Sequence, residues 1–393
     1  MRSTLAALRA DVSLSAVVAG FVAVLVGYTS SVAIVFQAAQ ALGATAAQTA
    51  SWMWALGLAM GLTCIGLSAR WRLPVLTAWS TPGAALLAAT HGVAMDEAVG
   101  AFIVSSLLIV AAGASGLFER VMSRLPMAVA AALLAGVLTR FGLEAAVALA
   151  SAPLLVVAMA LAYLAGRRAW PRYAVPGVLA AGVAVAALQG RLHLQAVEWA
   201  WAAPVATMPR FTPGALIGVG LPLFIVTMAS QNLPGVVAQR AAGYATPVSP
   251  VITTTGLVGL LLAPFGAYAI NLAAITAAIC MSPQAHPDPA RRWIAPVAAG
   301  VFYTLLGLAG AAVAGLLAAF PRELVAAVAG LALLSTIAGG LVLALADERH
   351  RDAAALTFLV TLSGVSVAGV GSAFWGVVAG SVALLVQHWR PAR

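Results

Sequence analysis

Uninterrupted apolar runs recur along the whole sequence, and no soluble packing can absorb them. Runs such as 13–39, 99–116, 127–149, 154–166 and 353–370 approach or reach membrane length. A helix needs roughly 20 apolar residues to cross about 30 Å of hydrocarbon. Every backbone N–H and C=O must find its partner inside such a segment, which selects helices. Only 8% of the 393 residues are charged, whereas a soluble domain carries about 25%. The first run follows Arg2 and Arg9 as the apolar region of a signal peptide would, but it is too long for one and similar runs follow it. The sequence therefore predicts an all-α integral membrane protein.

Fourteen spans are expected, at about 13–39, 48–69, 74–90, 97–116, 126–149, 152–166, 174–190, 211–235, 248–263, 265–282, 293–317, 322–345, 353–370 and 372–389. The net charge of +9 comes from arginine alone, in ones and twos between apolar runs, which is a topology signal and not a nucleic-acid footprint. With both termini in the cytoplasm and the chain alternating, sixteen arginines fall inside and four (Arg140, Arg191, Arg210 and Arg322) fall outside. Cys64 and Cys280 lie far apart in apolar runs and form neither a disulfide framework nor a metal-ligand spacing. No cofactor, metal or hydrolytic motif is expected.

The stretch 191–210, with Trp199 and Trp201, reads as an outer interfacial linker between two seven-span halves, 1–190 and 211–393. The halves echo one another. Ser30-Ser31 with Gly43 matches Ser230-Gln231 with Gly243, and 74–83 (PVLTAWSTPG) sits opposite 264–273 (PFGAYAINLA). Seven is odd, so the second half enters from the opposite side, an inverted repeat of the kind built into many carriers.

Carriers of that kind bind substrate where helices are interrupted near the midplane. In the third span, 75–79 reads as extended, Ser80 or Thr81 as a helix cap, Pro82 as the first turn and Gly83 as a point of close approach. In the tenth span, 267–270 reads as extended, with Asn271 capping a helix over 272–280. Two half-helix N-termini aimed at one cavity favour an anion. Pro82 alone would also be explained by a kink in a packed helix. Tyr28 and Ser30 in the first span, and Gln231 and Asn232 in the eighth, are polar where lipid-facing residues would not be. They are candidate cavity lining, with interhelical hydrogen bonding as the alternative. Arg140 and Glu144, spaced i,i+4 in the fifth span, suit a structural pair near the outer surface. The sharper reading gives Arg140 a field role and Glu144 a transferable proton.

Three blocks carry a resemblance: 18–39 (VAGFVAVLVGYTSSVAIVFQAA), 74–89 (PVLTAWSTPGAALLAA) and 263–293 (APFGAYAINLAAITAAICMSPQAHPDPARRW). They closely resemble the benzoate/proton symporter family of bacterial inner membranes. The resemblance implies proton-driven uptake of benzoate or a similar aromatic carboxylate, with a homodimer as a possible assembly. The family is distantly similar to the nucleobase carriers, whose fourteen spans form a core (here spans 1–4 and 8–11) and a gate (spans 5–7 and 12–14). Those carriers use acidic residues in the eighth and tenth spans. Here the same neighbourhoods hold Ser230, Gln231, Asn232, Ile270 and Asn271, with no carboxylate to repel an anion. A carrier of the same fold for a nucleobase or inorganic anion, or a passive anion channel, remains open on the residues alone.

Overall fold

The structure is a computed structural model, and it describes residues 11–88, 90, 92–122, 126–170, 174–192, 201–312, 320–365 and 372–388. Helix α1 (Leu14–Ala41) starts where the Ser13 hydroxyl accepts the Ala16 N–H, and α2 (Ala46–Trp71) starts on a capping box of Thr45 and Gln48. A two-residue strand β1 (Thr77–Ala78) and a short helix α3 (Thr81–Ala88) follow. Then come α4 (Met95–Ala114), α5 (Leu117–Met122), α6 (Met127–Ser151), α7 (Pro153–Ala169) and α8 (Ala174–Leu188). The later half runs α9 (Pro213–Ala241), α10 (Val248–Leu262), β2 (Asn271–Leu272), α11 (Ile275–Met281) and α12 (Ile294–Ala309). It ends with α13 (Arg322–Leu345), α14 (Arg351–Ser363) and α15 (Ser372–His388).

Among the described residues, six helical segments are long and apolar enough to cross a membrane, lying on α2, α4, α6, α9, α10 and α12. Helix α13, bent by 40° between Arg322–Leu334 and Ile337–Leu345, makes a seventh if its arms count together. The protein is thus mostly helical with six or more apolar spans. The fourteen segments expected from sequence include shorter pieces that do not reach that length alone.

Helix α9 is widened into π-turns at Leu216–Gly220 and Met228–Asn232. Each ends two residues before a proline, Pro222 and Pro234. Proline offers no N–H and its ring crowds the carbonyl four residues back, so the ladder is re-registered there.

Packing falls into two groups. In one, α2 lies against α12, α4 against α10, and α1 against α12 and α3. In the other, α6 lies against α13 and α14, α7 against α8, and α14 against α15. The groups meet where α9 touches α6 and α1 touches α13. The α2–α12 crossing is made by glycine: a Cβ on Gly57 would stand 2.6 Å from the Tyr303 carbonyl oxygen, and one on Gly61 2.8 Å from that of Gly300. Small residues let the backbones approach where lipid supplies no hydrophobic drive between helices.

Of the expected linker, positions 193–200, with Trp199, lie outside the described residues. Trp201 is 82% exposed. From there the chain crosses the helix ends as a strap, its backbone N–H groups donating at Ala202 to Leu308, at Thr207 to Pro264 and at Arg210 to Asp96. Arg210 also meets the Asp96 carboxylate at 2.8 Å and Glu97 at 3.5 Å, and the carboxylate raises the guanidinium pKa above its ordinary value. Helix α4 begins at Met95, so Asp96 and Glu97 occupy its first turn, where acidic side chains suit the helix dipole.

Candidate substrate cavity

The site grows from the two helix breaks. Strands β1 and β2 pair antiparallel, Thr77 with Leu272 and Ala78 with Asn271. Beneath them, Thr77 bonds the Thr63 hydroxyl at 2.6 Å and gives its N–H to the Cys64 sulfur at 3.2 Å. Gly235 of α9 packs so closely on β2 that a Cβ there would meet the Cβ of Leu272 at 2.6 Å. These contacts satisfy non-helical backbone inside protein, the condition for such backbone at membrane depth.

At the first break the expectation holds in detail. The Ser80 hydroxyl accepts the Gly83 N–H at 3.0 Å, so Ser80 caps α3 and Thr81 is its first residue. Gly83 is buried, with no room for a Cβ beside Leu223 at 2.7 Å. At the second break the helix starts three residues later than the sequence predicts. Asn271 does not cap a helix: it is held in β2, its Nδ2 donates to the Ala269 carbonyl at 2.9 Å, and α11 starts only at Ile275. The turn falls just before the segment expected to be extended, at Gly266 (φ +102), and residues 267–270 carry no regular secondary structure, with a left-handed φ of +45 at Ala269. Thr81 therefore corresponds to Ile275, not Asn271.

A cavity of about 320 Å³ lies where the two breaks face α1, α9 and α12. Tyr28, Trp79, Tyr303 and Phe141 supply its aromatic walls, and Thr81, Gln231 and Thr276 its polar points. The Tyr28 ring stands edge-on to Trp79, 4.6 Å between centroids, and stacks on Tyr303 at 5.7 Å. Trp79 Nε1 donates to the Ser31 hydroxyl at 3.0 Å, and that hydroxyl donates to the Gly27 carbonyl at 2.8 Å. The Tyr28 hydroxyl is fully buried and has no hydrogen-bond partner among the described residues. No Asp, Glu, Arg or Lys is among the described lining residues.

Of the sequence candidates, Tyr28, Thr81 and Gln231 line the cavity. Ser80 and Gly83 shape the break behind it, and the side chain of Ser30 lies outside the described residues. Asn232 departs from the expectation of cavity lining. It is fully buried, accepts the Leu272 N–H at 3.0 Å and donates to the Met228 sulfur at 3.2 Å, so it locks α9 to β2. The π-turn that carries both residues puts Gln231 on the cavity side and Asn232 on the strand side. Arg140 and Glu144 make no ion pair with each other among the described residues. Both are exposed and line a second, wider space of about 760 Å³ with Arg322 and Glu323.

Sequence reasoning missed Trp79, Thr276, Tyr303 and Phe141. Aromatic residues in an apolar run carry no signal of their own, but Trp79 adjoins the cap Ser80, and Thr276 stands in the first turn after the second break.

A bundle of apolar spans around a cavity at paired helix breaks is the arrangement used by membrane transporters. Residues 10–386 match the profile of the BenE family, described as benzoate membrane transport protein, and the chain belongs to that family. It is 51% identical over 371 residues to inner membrane protein YdcO of Escherichia coli (strain K12), covering 94% of this chain and 95% of that protein. It is 39% identical over 387 residues to the benzoate membrane transport protein of Acinetobacter baylyi (strain ATCC 33305 / BD413 / ADP1), covering 98% of each. Among solved structures, the transmembrane domain of a cyanobacterium bicarbonate transporter, BicA, is similar at a TM-score of 0.45 and 16% identity, covering 95% of each chain.

Proposed function

We propose that this protein is a bacterial inner-membrane secondary carrier that imports benzoate or a similar aromatic carboxylate together with a proton, by alternating access. The observation that carries the reading is the cavity. Its volume suits a single-ring ligand, its walls are aromatic, its polar points are uncharged, and among the described residues no carboxylate lines it. Such sites are mostly apolar with a few placed polar groups. The ring would lie against Trp79 and Tyr303, and the carboxylate would meet the Tyr28 hydroxyl near Thr81, the first residue of α3. The benzoate transporter of Acinetobacter baylyi, related over nearly the full chain, supports the substrate class.

The finer architecture belongs to the same proposal. Fourteen segments in two inverted halves are supported by packing that repeats with halves exchanged: α2 on α12 answers α4 on α10, and α7 on α8 answers α14 on α15. The group holding the breaks would be the core, and the group of α6 to α8 with α13 to α15 the gate. Cytoplasmic termini rest on the arginine asymmetry.

The test is uptake of radiolabelled benzoate into proteoliposomes with and without an inward proton gradient, against protein-free liposomes, because neutral benzoic acid crosses lipid unaided. Protein-dependent accumulation that collapses with a protonophore is expected. Its absence from folded protein would overturn the reading. Counterflow separates carrier from channel, since only a carrier is accelerated by unlabelled substrate on the far side.

A further inference from the structure

The cavity and the wider charged space beside it share two lining residues, Val26 and Phe141. The wider space is a vestibule between the end of α6 and the start of α13, holding Arg140, Glu144, Arg322 and Glu323. Phe141 follows Arg140 directly, so consecutive residues present a cation to the vestibule and a ring to the boundary. Every other described residue of the cavity comes from α1, α2, the two breaks, α9 or α12. Among the described residues, Phe141 is thus the single lining residue contributed by the α6–α13 group. Its backbone is fixed from behind: a Cβ on Gly330 of α13 would lie 2.7 Å from the Phe141 carbonyl oxygen, so α6 has no room to retreat there.

We propose that the Phe141 side chain is the partition between vestibule and substrate cavity, and that the vestibule is the route by which the aromatic carboxylate reaches it. This rests on the carrier reading above. A ring on α6 can swing about its side-chain torsions while the backbone stays put, so passage needs only a rotamer change on this side. Rotamer flips of exposed side chains take picoseconds to nanoseconds, far faster than helix rearrangement. Val26 forms the opposite lip from α1. Arg140 and Arg322 put positive charge at the entrance, Glu144 offsets part of it, and Glu323 is already paired with Arg191 at 2.9 Å, so the vestibule favours entry of an anion.

The experiment is thiol labelling of Thr276→Cys, which reports from the cavity floor, by a small membrane-impermeant methanethiosulfonate in proteoliposomes. Leu143→Cys reports from the vestibule, and unmodified protein, whose two cysteines are buried, sets the background. Adding Phe141→Ala is expected to speed labelling at Thr276→Cys at least tenfold and leave Leu143→Cys unchanged, while Phe141→Trp slows it. The Trp variant enlarges the side chain and serves as the independent arm if the Ala variant folds poorly. Equal rates at Thr276→Cys with Phe, Ala and Trp at position 141 would overturn the proposal, as would parallel acceleration at both reporters. Benzoate protection is read separately. If Phe141→Ala opens the cavity but benzoate never slows labelling, the partition stands and the benzoate assignment falls.

Discussion

Replacing Tyr28 by phenylalanine should stabilise the empty protein and weaken its hold on benzoate, two effects of opposite sign from one oxygen atom. The Tyr28 hydroxyl is fully buried and has no hydrogen-bond partner among the described residues. Such a group costs about 1–3 kcal/mol of desolvation that nothing offsets in the empty cavity. Phenylalanine keeps the ring contacts with Trp79 and Tyr303 and removes that cost, so the unfolding temperature of ligand-free protein should rise. With benzoate bound, the hydroxyl would donate to a carboxylate. A hydrogen bond to a charged group contributes roughly 1.5–3 kcal/mol, which corresponds to a Kd about ten- to a hundredfold weaker without it. Titration calorimetry on detergent-solubilised protein gives the Kd, and thermal unfolding with and without benzoate gives both signs at once, because ligand stabilisation follows mass action. An unchanged Kd would remove Tyr28 from the carboxylate site. A lower unfolding temperature without ligand would mean that the hydroxyl is satisfied, and the reasoning would fail at its first step.

Three further outcomes are expected. Gly57→Ala should cost roughly 1–3 kcal/mol of stability, because its Cβ would meet backbone atoms at Tyr303 and Gly307 that cannot yield; Gly66→Ala, with nothing within 4 Å, is the control in the same unfolding assay. Asn232→Ala should destabilise by about 1–3 kcal/mol through the orphaned Leu272 N–H and change benzoate affinity little; Gln231→Ala should do the reverse, and calorimetry on both variants separates strut from lining. If Glu144 carries the coupled proton, Glu144→Gln should abolish accumulation driven by a pH gradient and spare counterflow; retained accumulation would send the search elsewhere.

Much of the fold was legible because the bilayer enforces one rule on every segment, so length and hydropathy located the helices and the prolines marked the breaks. Ser80 was readable as a cap because serine before Thr-Pro-Gly has few other uses. Asn271 was misread for the same reason: an amide ahead of an apolar run looks like a cap, and only the pairing of β2 with β1, a contact between positions nearly two hundred apart, shows that it is held in a strand. Gln231 and Asn232 are neighbours with indistinguishable chemistry. Which of them faces the cavity depends on the phase of a π-turn, and the prolines that cause it did not reveal that phase. Phe141 was invisible because one more aromatic in an apolar helix is unremarkable until the spaces on either side of it are seen.

The two-rung ladder between β1 and β2 has a consequence for selectivity. It ties the starts of α3 and α11 together through main-chain bonds, so the gap between them is set when the chain folds and not when a ligand arrives. A gap of fixed gauge costs little ordering entropy on occupancy, and between the two breaks it cannot widen for a bulkier guest. The protein should therefore discriminate among aromatic acids as a caliper does, by rejecting rings too broad for its jaws, with affinity falling abruptly past one ring and not grading away with each added atom.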